Sequence, residues 1–257
     1  MAADRVSCSH FMPIKVEWIM MRFWLAAALL PAGVLMFIIY RMDTAEKESR
    51  GLLTRLFLCG AVACIPAMIL ENIGMPLVEQ EFGTEGLRSV AWQAFAVVGV
   101  SEELCKFFFL RRLTWRCPEF NYRFDGIVYA VFVTLGFAAL ENVMYLFGYG
   151  PDVLVARGLL SIPGHATFGV FMGFYYTQGK LADVYGEVGR RRKYLWLALL
   201  MPAVLHGFFD FCLMSEDSTL SMVFFLFVIV LDVICVKLVR RESQRDRSMM
   251  GPDWSDV

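Results

Sequence analysis

The sequence predicts an all-α protein, a polytopic transmembrane bundle of about seven helices. Three observations predict it. The chain is 257 residues long and 58% hydrophobic, with only 19% charged residues, where a soluble domain of this size carries roughly a quarter. The charges cluster between apolar runs, and seven of those runs reach the roughly 20 helical residues that cross a bilayer. The connecting segments alternate between base-rich and base-poor without a break.

Taken in order, the runs fall near 23–40, 52–70, 90–112, 124–147, 157–178, 194–213 and 219–239. The first is too long for a signal-peptide core and has no small-residue cleavage site behind it, so it is read as a retained span. Segment 41–51 brings Arg41, Lys47 and Arg50, whereas 71–89 is acidic (Glu71, Glu79, Glu81, Glu85) with only Arg88. Segment 111–123 has Arg111, Arg112, Arg116 and Arg123, and 148–157 has only Arg157. Segment 179–193 has Lys180 and a run from Arg190 to Lys193, 214–218 has no base, and the tail carries Lys237, Arg240, Arg241, Arg245 and Arg247. Cytoplasmic segments are the basic ones, so the C-terminus is expected in the cytoplasm and the N-terminus outside. Residues 1–22 dissent, because Arg5, Lys15 and Arg22 favour the cytoplasm. A translation start at Met20 or Met21 would remove Arg5 and Lys15, and an intact mass showing the full N-terminus would exclude it. The expected organisation is an N-terminal segment 1–22, a membrane domain 23–239 and a short polar tail 240–257 that frays.

The composition excludes other classes. A net charge of −1 with no basic stripe gives no footprint for nucleic acid. The seven cysteines are scattered without a C-x-x-C pair and read as small apolar residues. One internal echo, I-L-E-N-I-G-M at 69–75 against A-L-E-N-V-M-Y at 139–145, is too short to establish a repeat.

Polar groups inside the spans carry the functional reading, since an Asp, Lys or Arg costs roughly 2.5–3.5 kcal/mol at a span centre. In S-E-E-L-C-K, Lys106 stands four residues from Glu102 and three from Glu103, within helical reach of both. Side chains advance about 100° per residue, so one glutamate faces a cavity and the other holds the helix. A buried ion pair that only fixes packing is the structural alternative. Glu141, in G-F-A-A-L-E-N with Asn142, has no base within one turn and needs a partner from another span, unless it is a neutral packing residue. His165 heads a row with Gly169 and Gly173 that admits a close helix. His206 precedes Asp210 by one turn, which fixes its tautomer. The third histidine, His10, lies in the N-terminal segment. Asp125, opening the fourth span, reads as a structural carboxylate at a helix start.

The series E-E-L-C-K (102–106), F-D-G-I-V-Y (124–129), G-F-A-A-L-E-N-V-M-Y (136–145), G-H-A-T-F-G-V-F-M-G (164–173) and H-G-F-F-D-F (206–211) resembles the PrsW family of intramembrane proteases. That family is related to the CAAX prenyl endopeptidases and to bacteriocin-processing membrane proteases. The match covers roughly residues 99–212, and five motifs in the same order make it specific. The resemblance implies a bacterial, multi-pass cell-membrane peptidase acting on membrane-anchored proteins. The first cut of an anti-sigma factor is its best-known role. Carried over, the site is Glu102, Glu103, Glu141, His165 and His206, with Asp210 supporting.

Peptide hydrolysis needs an activated water and a stabilised oxyanion. In the preferred scheme no cofactor is required: Glu102 is the base, Glu103 and Lys106 orient it, His165 and His206 hold water and oxyanion, and Asn142 adds a neutral donor. The rival scheme places zinc on Glu102, His165 and His206, although no H-E-x-x-H occurs. Two other classes remain open: a transporter or channel relaying protons through these groups, and a non-catalytic scaffold for membrane proteins. Counting along the spans puts Glu141, His165 and His206 in the outer half of the bilayer and Glu102 deeper. A third helix running on to Trp115, with Arg111 and Arg112 snorkelling, is expected to bring Glu102 nearer the midplane.

Overall fold

The computed structural model describes residues 14–249; Arg5 and His10 lie outside them. Seven long helical segments follow in order. These are α1 (Ile14–Met42), α2 (Arg50–Phe82), α3 (Leu87–Ala91, a π-helical stretch Trp92–Gly99 and Val100–Thr114), α4 (Asp125–Tyr149), α5 (Val153–Val184, with a π-helical turn at Arg157–Ser161), α6 (Val188–Met214) and α7 (Ser218–Gln244). Among the described residues there is no strand, only an isolated bridge between Tyr122 and Ser248. Six of the seven are long and apolar enough to cross a membrane; α3 falls short of that measure, made more polar by Glu102, Glu103, Lys106, Arg111 and Arg112.

The largest departure from expectation is α2. The sequence predicts a loop from residue 71, yet the helix continues to Phe82 and stops at Gly83, where φ is 82°. Glu71, Glu79 and Glu81 interrupt the apolar run but are good helix formers, so they end the hydropathy signal without ending the helix. Its 33 residues span about 50 Å, more than the hydrocarbon thickness. The start is capped by Ser49, whose Oγ accepts from the Leu52 amide at 3.3 Å. Similarly, Asp217 caps α7 by accepting from the Thr219 and Leu220 amides.

The middle of the bundle is α4, buried at nearly every residue from 125 to 139. It lies between α2 and α5, and small residues set both approaches. A Cβ at Gly136 would collide with the Phe57 carbonyl of α2, and one at Gly173 with the backbone of Gly126 and Ile127. The glycine row behind His165 thus packs α5 against α4. At one end of the bundle the segments 43–49, 115–124 and 245–249 meet. Here the described part of the tail, 245–249, packs against the 115–124 segment. Asp246 Oδ1 accepts from the Phe124 amide at 2.9 Å, Met249 N donates to the Asn121 carbonyl at 2.7 Å, and Met249 is buried.

Two loop carboxylates are buried at this end. Burial pushes Asp43 up to about 6, against the pull of Lys47. Burial pushes Glu48 up to about 7, against the hydrogen bond donated by Tyr129. Both values lie above the unfolded ones, so folding takes up protons here. This contribution to stability is complete below about pH 4 and is lost as pH rises through 6–7. The melting temperature of the detergent-solubilised protein should therefore rise on going from pH 8 to pH 5, and Glu48→Gln should flatten that slope. A wild-type slope of the opposite sign, or one that Glu48→Gln leaves intact, contradicts the assignment.

Candidate active site

The site is built outward from Lys106 on α3. Its side chain is fully buried, and its ammonium meets three acceptors: Glu102 Oε2 at 2.8 Å, Glu103 Oε1 at 2.7 Å and His165 Nδ1 at 3.1 Å. Three donors are matched by three acceptors, and the Phe137 ring lies 4.1 Å away on the remaining side. Because the ammonium can only donate, His165 Nδ1 accepts. The His165 proton therefore sits on Nε2, which donates to Glu141 Oε2 at 3.0 Å. Glu141 finds its counter-charge in Arg157, whose Nη2 lies 2.7 Å from the same oxygen. Arg157 is fixed in turn: Nε donates to Asn142 Oδ1 at 3.0 Å, and the guanidinium stacks on Tyr145 at 3.7 Å.

A second branch leaves Glu103. Its Oε1 also meets His206 Nδ1 at 3.0 Å, while His206 Nε2 faces Asp210 Oδ2 at 3.3 Å. With a carboxylate at each nitrogen, the doubly protonated ring satisfies both. The ring stacks on Phe168 and meets His165 edge-on at a centroid distance of 5.2 Å. One connected chain of contacts thus runs from Arg157 through Glu141, His165, Lys106, Glu103 and His206 to Asp210.

The chain borders a cavity of about 700 Å³. Glu102, Glu141, His165, His206 and Asp210 line it, together with Arg157, Glu71 and several methionines. Glu103 and Lys106 lie behind the wall, so of the two adjacent glutamates it is Glu102 that reaches the cavity. Asn142 does not: its amide nitrogen donates to the Ala28 carbonyl at 2.8 Å, and its oxygen holds Arg157. Its place is support for Arg157, not a donor in the cavity. Two smaller grooves, of about 400 and 460 Å³, carry neither carboxylate nor histidine.

The levels of the residues agree. The α3 helix runs to Thr114 with Trp115 at its cap, and ligand atoms of Glu102, Glu103, His165 and His206 lie within 4.8 Å of one another. A π-helical stretch immediately precedes the glutamates, of the kind that recurs near functional sites. Asp125 is remote: its Oδ2 accepts from the Asn121 and Tyr122 amides at 3.0 and 2.6 Å and holds the turn into α4. Two charged cavity residues are not among those the sequence singles out, Glu71 and Arg157. Both fall in segments assigned to loops because a charge next to an apolar run reads as its end.

The donor set invites a test for a metal. Two imidazoles and two carboxylates are zinc-type ligands. A metal ligand must offer a free lone pair, however, and the Lys106 ammonium engages three of the four residues. Glu102 Oε1 stays free among the described residues, so the residues that would hold an ion are Glu102, His165 and His206, with the Lys106 ammonium competing for the first two.

Arg157 acts on the cavity through Glu141 and His165. Arg157→Gln should lower the rate of substrate cleavage about 10–100-fold, the scale of lost supporting contacts, without unfolding the protein. Arg157→Lys should restore part of the rate, because it returns the charge to Glu141. Equal rates in wild type and Arg157→Gln would remove the residue from the site.

A family model described as PrsW family intramembrane metalloprotease matches residues 48–236. Curated relatives share this likeness over most of their length. The chain is 34% identical to Protease PrsW of Halalkalibacterium halodurans over 223 residues, covering 87% of this chain and 98% of the relative. It is 34% identical to Protease PrsW of Bacillus subtilis over 194 residues, covering 76% and 84%. The same identity holds for Protease PrsW of Clostridioides difficile, over 79% and 84%. No solved structure matches the chain. A polytopic helical bundle, a carboxylate and histidine network at one cavity, and this extent of identity agree: the chain belongs to the PrsW family of intramembrane proteases.

Proposed function

We propose that the cavity hydrolyses a peptide bond of a membrane-anchored protein by glutamate-activated water, without a metal. The observation that carries this is Glu102. Lys106 holds its Oε2, while Oε1 has no hydrogen-bond partner among the described residues and the residue lines the cavity. A water there gives its proton to Glu102 as its oxygen bonds to the scissile carbonyl carbon. His206 Nε2 lies 3.3 Å from Asp210, a looser contact than the 3.0 Å between its Nδ1 and Glu103. That N–H is the donor most readily turned to the developing oxyanion. On collapse the C–N bond breaks and Glu102 returns the proton to the departing amine. Glu103 and Lys106 hold the geometry.

The cavity opens toward the ends of the helices joined by 83–86, 150–152 and 215–217, the base-poor side of the bundle. By the charge rule this side is outside and the C-terminus cytoplasmic. A membrane protein cut near its outer boundary is therefore the fitting substrate, and an anti-sigma factor is the case implied by the family resemblance. The second reading is zinc on Glu102, His165 and His206, favoured by the closeness of the donors. Protein washed with chelator and assayed for metal separates the two. Full cleavage without stoichiometric metal supports the glutamate scheme, and activity restored only by zinc overturns it.

A further inference from the structure

We propose that Glu71 is a specificity-determining residue that pairs with a Lys or Arg side chain of the substrate close to the bond that is cut. The inference rests on the protease reading. Each of the other cavity carboxylates has a basic partner: Glu102 has Lys106, Glu141 has Arg157 and His165, and Asp210 has His206. Glu71 has none among the described residues, and the bases of the network are engaged elsewhere. A carboxylate inside a membrane bundle is costly without a partner or water. A cavity wall that keeps one uncompensated favours a cation arriving in the cavity.

The placement is set by helix geometry. Cys64, Met68, Glu71 and Met75 are spaced four, three and four residues apart, which puts them on one face of α2, and all four line the cavity. The short echo in the sequence acquires a physical meaning here. Glu71 and Glu141 occupy matching positions of E-N pairs on neighbouring helices α2 and α4, and both line the same cavity. One of the pair is neutralised by the protein and the other is left for the substrate. The flanking methionines are flexible and apolar and accept varied side chains. On this wall charge, rather than shape, therefore discriminates between substrates.

The test maps new protein termini by mass spectrometry in membranes containing wild type, Glu71→Gln, Glu71→Lys or Glu102→Gln. Cuts that depend on Glu102 should be enriched in Lys or Arg within about three residues, the reach of a long side chain along an extended segment. Glu71→Gln should lower cleavage at those sites about tenfold, while any cuts at neutral sites persist and report a folded enzyme. Glu71→Lys should move the preference to Asp and Glu. For one basic site, a single-span peptide with its Lys changed to Gln should lose cleavage by wild type but not further by Glu71→Gln, since paired changes are non-additive. A profile without basic enrichment, or one unchanged by both Glu71 variants, overturns the inference while the protease reading stands. No Glu102-dependent cut at all removes that reading and this inference with it.

Discussion

Glu102→Gln should reduce peptide cleavage by about 10²–10⁴-fold, the usual contribution of a positioned general base, with little change in folding. The amide is nearly isosteric, its oxygen can still accept from Lys106, and Glu102 sits at the cavity wall rather than deep in the packing. Glu103→Gln should behave differently. Glu103 is fully buried and its Oε1 accepts from both Lys106 and His206. Removing its charge unbalances the interior, so stability should fall together with activity. Comparing the two variants, by cleavage rate and melting temperature, separates the group that does chemistry from the group that holds it. Cleavage that survives both changes would refute the site.

Lys106→Met should be the most disruptive single change in the bundle. The side chain is completely enclosed and bonds to two carboxylates and a histidine. Removing one partner of a buried ion pair leaves an uncompensated charge and costs about 3–5 kcal/mol, and here two glutamates lose the same cation. His165 also loses the donor that sets its tautomer, so whatever protein survives should be inactive. Combining Lys106→Met with Glu103→Gln should recover part of the stability by removing one of the stranded charges, without recovering cleavage. If Lys106→Met melts like wild type, the ammonium is not the hub of the network.

Much of this was legible because membrane physics makes buried charge conspicuous. The pairing of Lys106 with both glutamates follows from residue spacing alone, and so does the Asp210 partner of His206, one turn away. What connects the branches was not legible. No local rule places His165 on Lys106 across 59 residues, or Arg157 on Glu141. Asn142 was readable as polar, but its direction toward the Ala28 carbonyl depends on how α1 packs. The helical boundaries failed where hydropathy and helix propensity part company, at Glu71 and beyond in α2. The described end of the tail, 245–249, was hidden for a related reason. Its composition is that of a solvated end, yet Met249 and Asp246 find partners in a distant loop.

The most direct measurement is cleavage of a mapped single-span substrate by metal-free enzyme in proteoliposomes, in heavy-oxygen water. Glu102-activated hydrolysis requires one heavy oxygen in each new carboxylate made by wild type, and almost no product from folded Glu102→Gln. Labelled product forming at the wild-type rate in Glu102→Gln, or appearing only after a metal is added, would contradict it.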